Sequence, residues 1–257
     1  MKKILSAVLA LCLIMSALLA VSCGKEPTAR ELVETATAKY ENLDAYEGRL
    51  EYDITMNIQG VTMSVPISAD IKMTDIKSGS PIIDMNMTME VMGQKVDMRM
   101  YLEGEWAYYD MLGMKYKTKV AQADTEITGI LDNMMSNSGG FDYLDSAEIV
   151  KHEDGLRSVA VEIGENISDI IGAAANDMAS SVIGEGGEIE LSNLKLEYFI
   201  DKNDFIAKIN CAFKMAITIE GEKVDATADM TVSFEKFDDE VQITPPEGYL
   251  DYTEAEM

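Results

Sequence analysis

Three stretches of this chain pass from one alternating run directly into another, and they constrain its fold more than any other feature. In the first, Leu50, Tyr52, Ile54, Met56 and Ile58 alternate with polar residues up to Gln59-Gly60, and Val61, Met63, Val65, Ile67, Ala69, Ile71 and Met73 alternate after it. Alternation of period two marks a strand with one buried face, and an X-Gly pair between two such runs marks a hairpin. Closing it there pairs Ile58 with Val61, Met56 with Met63 and Ile54 with Val65, so apolar residues meet on one face. The second hairpin reads as closing on Gly93-Gln94, which pairs Val91 with Val96, Met89 with Met98, Met87 with Met100 and Met85 with Leu102. The third reads as closing on Gly221-Glu222, with Ile219 against Val224, Met215 against Ala228, Phe213 against Met230 and Cys211 against Val232. Gly93 and Gly221 are expected at positive φ, each as the first residue of its loop.

Shorter strands are expected at 105–110, 114–120, 146–152, 156–163 and 187–200, which makes about eleven in all. Thr28-Ala29-Arg30-Glu31 reads as a capping box ahead of a stripe of Leu32, Val33, Ala36, Tyr40 and Leu43, and so as a first helix. Two further helices are expected near 124–136 and 166–183, and the tail from Pro245 as irregular. The class is α+β: a large antiparallel sheet whose apolar side about three helices cover. No linker forces a boundary, so 27–257 is expected to be one domain.

The first 22 residues read as a signal peptide: Lys2 and Lys3, an apolar run from Ile4 to Ala20, then small residues before Cys23. This resembles a bacterial lipobox, in which Cys23 is acylated and residues 23–26 form the anchor and a short link. Two acyl chains suffice for stable attachment, so the expected place is the extracytoplasmic side of a cell membrane. Of three cysteines, Cys12 leaves with the leader and Cys23 carries lipid, which leaves Cys211 alone and no disulfide within the chain. A net charge of −25 repels nucleic acid.

A catalytic constellation is missing from the sequence. The single histidine, His152, lies beside Glu153-Asp154-Gly155 at a turn, Cys211 sits among apolar residues, and no nucleophile, phosphate-loop or zinc signature occurs. The chain is therefore expected not to be an enzyme, with no cofactor and no metal. The methionines of "DMNMTMEVMGQKVDMRM" (84–100) are the conspicuous alternative, since thioethers are soft ligands. They spread in a ladder, with no histidine on the hairpin, and so read as an adaptable apolar wall.

The lipobox, the immediate first helix, the strand Gly-Glu-Trp-Ala-Tyr-Tyr (104–109) and the long later hairpins together resemble the LolA-like superfamily. That group includes the LolA and LolB lipoprotein carriers and the mycobacterial LppX and LprG lipoproteins. The texture is most similar to Gram-positive lipoproteins known only by a domain of unknown function. The resemblance implies a half-barrel whose concave face, lidded by helices, holds a lipid or another apolar small molecule. No functional residue carries over one for one, and Arg49 and Arg99 fall on polar strand faces. The candidate cavity wall is Met56, Met63, Met85, Met87, Met89, Met98, Met100, Tyr108, Met134, Met178, Phe213, Met215 and Met230. The competing reading is a structural or sensory surface lipoprotein with a filled core, which acts on an envelope protein partner.

Overall fold

The computed structural model describes residues 26–58, 60–91, 93–119, 141–163, 188–219 and 222–255. The first element of the described residues is an α-helix, α1 (Ala29–Tyr40). The capping box is formed: the Glu31 amide donates to Thr28 Oγ1 at 3.2 Å, and the Thr28 amide donates to Glu31 Oε2 at 2.8 Å. These two bonds satisfy amides that the first turn leaves without helical partners.

Twelve strands follow: β1 (Tyr46–Ile58), β2 (Val61–Thr74), β3 (Ile82–Val91), β4 (Gln94–Glu103), β5 (Trp106–Met111), β6 (Met114–Lys119), β7 (Ile149–Lys151), β8 (Arg157–Glu162), β9 (Glu188–Ile200), β10 (Ile206–Ile219), β11 (Glu222–Phe237) and β12 (Thr253–Glu254). They form one sheet in the order β12-β6-β5-β4-β3-β2-β1-β11-β10-β9-β8-β7. Neighbours are antiparallel throughout except β12, which lies parallel to β6. Among the described residues the sheet does not close on itself, and a half-barrel fits it. The twelfth strand lies in the tail that the sequence suggested was irregular. The helices expected at 124–136 and 166–183 lie outside the described residues, which contain α1 as their one α-helix.

The first hairpin has the expected register, Ile58 to Val61, Met56 to Met63 and Ile54 to Val65. The other two differ by two positions. Val91 faces Gln94, Met89 faces Val96, Met87 faces Met98, and Met85 faces Met100. Likewise Ile219 faces Glu222, Met215 faces Ala226, Phe213 faces Ala228, and Cys211 faces Met230. Gly93 therefore stands second in its loop, after Met92, at φ +76°, as Gly60 does at φ +83°. A loop with glycine second is as acceptable as one with glycine first, so sequence alone left two registers open. Because the side-chain period is two, the change leaves every residue on its expected face. Gly221 lies outside the described residues.

Helix α1 runs across the strands. At its start, Lys151 Nζ of β7 reaches Glu26 Oε1 at 2.6 Å. At its end, the Tyr40 hydroxyl donates to the Ile206 carbonyl, and the Tyr40 ring packs on Phe234 and Phe237 at 4.8 and 5.7 Å. Leu32, Val33 and Ala36 bury their stripe against Val159, Leu196, Ile200 and Ile206. Near this end the β1–β11 register slips between Glu47 and Gly48, leaving Glu235 unmatched on β11. A Cβ on Gly48 would lie 2.5 Å from the Ser233 carbonyl oxygen, so the bulge requires glycine.

Candidate functional site

The apolar face is continuous across eleven strands. From β1 one row runs outward through Leu50, Ala69, Met87, Met98, Met111 and Met114. In the other direction it continues through Val232, Ile209, Tyr198, Val159 and Ile149. A second row joins Tyr52, Ile67, Met89 and Val96 to Met230, Cys211, Leu196 and Val161. Side chains on one face of neighbouring strands stand close enough to form a single wall.

Ten of the candidate residues lie on this face. Met56 faces Met63 and Ala226, and Met215 faces Ala226 and Leu191. Met230 lies between Tyr52 and Cys211, and Phe213 faces Ala228. Met85 meets Met100, and Met87 meets Met98. Met100 is buried with Met73 and Ile83, whereas the other nine are half-buried. Met134 and Met178 lie outside the described residues, as does Cys23. Sequence reasoning omitted Tyr52, Met73, Met111 and Met114, which the same alternation places on this wall.

Tyr108 is a correction. It lies on the opposite face, because Ala107 and Tyr109 are the residues of β5 that pair with Leu102 and Met100 of the methionine side. In a strand with aromatics at successive positions, alternation does not reveal which one faces the core. Tyr108 is buried by the tail, with ring centroids 4.9 Å from Tyr249 and 6.1 Å from Tyr252. The cluster of Trp106, Tyr108, Tyr109 and Tyr116 is thus split. Tyr109 stacks on Tyr116 at 5.1 Å on the apolar side, while Trp106 and Tyr108 pack under the tail with Tyr101.

Cover on the apolar face is uneven among the described residues. Helix α1 and the turn Phe141–Leu144 cover the β8 to β11 part, and Ile76 packs beside Met73. Toward the β1–β2 and β10–β11 turns, Met56, Met63, Met89, Val96, Met215 and Ile217 stay half-buried. Within the covered part, burial pushes the Cys211 thiol up to about 11, with the nearby Asp229 charge adding to it. Burial also raises the Tyr198 hydroxyl, which lies 3.1 Å from the Tyr143 hydroxyl. A protonated, buried thiol is a poor nucleophile. His152 is exposed and pairs with Ser158 Oγ at 2.9 Å.

The opposite face is a charged ladder. Arg49 bonds Asp70 at 2.9 Å, Arg99 bonds Asp84 at 2.8 Å, and Glu47 lies 2.9 Å from Lys236 and 3.6 Å from Lys72. The hydrogen bond from Lys236 holds the Glu47 carboxyl below its usual range. Among the described residues no group of three or more His, Cys, Asp or Glu side chains is placed to hold a metal ion. No described helix is long and apolar enough to cross a membrane.

A wide, open antiparallel sheet with one charged face and one apolar face, partly covered by an N-terminal helix, defines the class. The chain belongs to the family DUF6612, a family of unknown function, whose profile matches residues 28–254. No curated protein matches it. Among solved structures it is similar to LprF from Mycobacterium bovis, with 16% identity over 86% of this chain and 97% of that one, at a TM-score of 0.45. A LolA superfamily protein from Nitrosomonas europaea shares 7% identity over 85% of this chain and 96% of its own, at a TM-score of 0.26. A putative outer membrane lipoprotein-sorting protein domain from Vibrio parahaemolyticus shares 9% identity over 84% and 94%, also at 0.26.

Proposed function

We propose that this is a lipid-anchored extracytoplasmic protein that holds a lipid or another apolar molecule on its methionine-lined face. Residues 1–22 direct export, Cys23 carries the acyl chains, 23–26 link anchor to fold, and 27–257 form one binding domain. The observation that carries this reading is the apolar row from Ile149 to Met114, only part of which the described helix covers. An apolar surface of this width has to be covered by chain or by ligand. Methionine suits the second, because its unbranched side chain adapts to varied partners. The protein binds and does not catalyse, and its acidic outer surface repels nucleic acid.

The test is mass spectrometry of solvent extracts from protein purified out of its native envelope, together with binding of an environment-sensitive apolar dye. Co-purified lipid, and dye displaced by fatty acid or phospholipid, are expected. Dye binding only after denaturation would assign the chain to the structural role, in which it acts through an envelope protein partner.

A further inference from the structure

Pro66 stands inside β2, between two neighbouring strands, although proline is normally confined to sheet edges and bulges. In a two-residue hairpin the residues flanking the loop form a hydrogen-bonded pair, and such pairs recur at every second position. Ile58 faces Val61, so the odd-numbered residues of β2 bond to β1. The even-numbered ones, Pro66 included, turn their backbone groups toward β3. By the same rule Val91 facing Gln94 turns the backbone of Thr88 and Glu90 toward β2. Pro66 and Glu90 would be the next hydrogen-bonded pair, but proline has no N–H to give. The β2–β3 ladder ends one step earlier, at Ile67 opposite Met89, although both strands continue past it. On its other flank, β4 pairs with β5 only from Met98 onward. The far end of the β3–β4 hairpin is thus laddered to neither neighbour. A cavity of about 430 Å³ on the charged face extends from Asp229 and Thr231 of β11, past Glu51 and Asp53 of β1, to this seam. Its lining includes Pro66, Ser68, Thr88, Glu90 and Lys95 from the charged face, and Ile67 from the apolar face.

We propose that the seam between β2 and β3 is the entrance through which a single-chain amphiphile reaches the methionine face. This rests on the proposed function above. The route is short, since Ile67 and Met89 are the last laddered pair and already belong to the apolar wall. The missing Pro66 donor leaves the next pair at most the bond from the Glu90 N–H to the Pro66 carbonyl, so parting the strands there breaks one ladder bond fewer than a residue with an N–H would require. Ser68, Thr88, Glu90 and Lys95 offer hydrogen-bond partners to a polar head while the apolar chain passes.

The test uses the full chain with dansyl-undecanoic acid as probe, followed by stopped-flow fluorescence. Pro66→Val restores the donor, whereas Ser68→Pro removes the next one. Pro66→Val should slow probe entry and release by about fivefold each, the kinetic equivalent of one net backbone hydrogen bond, with equilibrium affinity unchanged. The amide introduced at position 66 should be protected from hydrogen exchange in that variant. Ser68→Pro should move both rates the other way. Equal rates in all three chains, with normal binding, would overturn the entrance alone. An unaltered chain that binds no probe would remove the proposed function, and the entrance with it.

Discussion

Arg99 grips Asp84 through two hydrogen bonds, Nε to Oδ1 at 2.8 Å and Nη2 to Oδ2 at 3.0 Å, and the same Nη2 donates to the Thr244 carbonyl at 2.7 Å. One side chain thereby neutralises a carboxylate that is only 6% exposed and ties the tail to the sheet. Breaking a fully buried pair costs roughly 3–5 kcal/mol. Arg99 is about a third exposed, so Arg99→Met should cost less, about 2 kcal/mol in urea unfolding. The amides of 243–252 should also exchange faster, and an unchanged tail would show that its aromatic packing holds it without the arginine.

Gly48→Val should be more damaging than its surroundings suggest. The added Cβ meets a backbone carbonyl in the β1–β11 bulge, and backbone cannot yield as a side-chain tip does. A loss of roughly 1–3 kcal/mol is expected, as for other overpacked sites. A melting temperature within a degree of the unaltered chain would mean that the bulge can relocate.

Alkaline pH should weaken the fold through Cys211. Its folded value is raised to about 11, above that of a thiol in the unfolded chain, so the contribution is complete below about pH 8.5 and is lost as pH climbs toward 11. Burial raises Tyr40 and Tyr198 in the same sense, which extends the loss to higher pH. Cys211→Ala should flatten the unfolding midpoint between about pH 8.5 and 11. An equal slope in both chains would place the effect elsewhere.

Leucine at both Met87 and Met98, which face each other, should keep the fold at a cost of roughly 1–3 kcal/mol. Apolar-ligand affinity should change, while any weak copper uptake stays as before. Tight stoichiometric cuprous binding that vanishes in this double variant would make the methionines metal ligands.

Cys23→Ala should abolish labelling by radioactive fatty acid and leave the precursor uncleaved at that site. Normal labelling and processing of the variant would falsify the proposed anchor.

Much of the sheet was legible because alternation is a local signal. The period-two runs around Met56, Met87 and Met215 assigned each residue to a face before any partner was known. Thr28 and Glu31 marked the start of α1, since a capping box closes within four residues. Register was less legible. Glycine acts equally well in either place of a two-residue loop, and both choices keep Met87 and Phe213 on the same side.

The sequence by itself determined the strands, their apolar face, the first helix and the motif at Cys23, because each depends on contacts between residues near in the chain. Only the tertiary structure decided that Tyr108 faces away from the methionines, and that Thr253 and Glu254 form an edge strand on Tyr116 and Lys117. It also decided that the β2–β3 ladder stops at Ile67 and Met89, beside Pro66. Those outcomes depend on which distant segment arrives at a strand's flank or outer face. Arg99 and Thr244 are 145 positions apart and neither carries a local mark of the other, so only the assembled sheet brings them together.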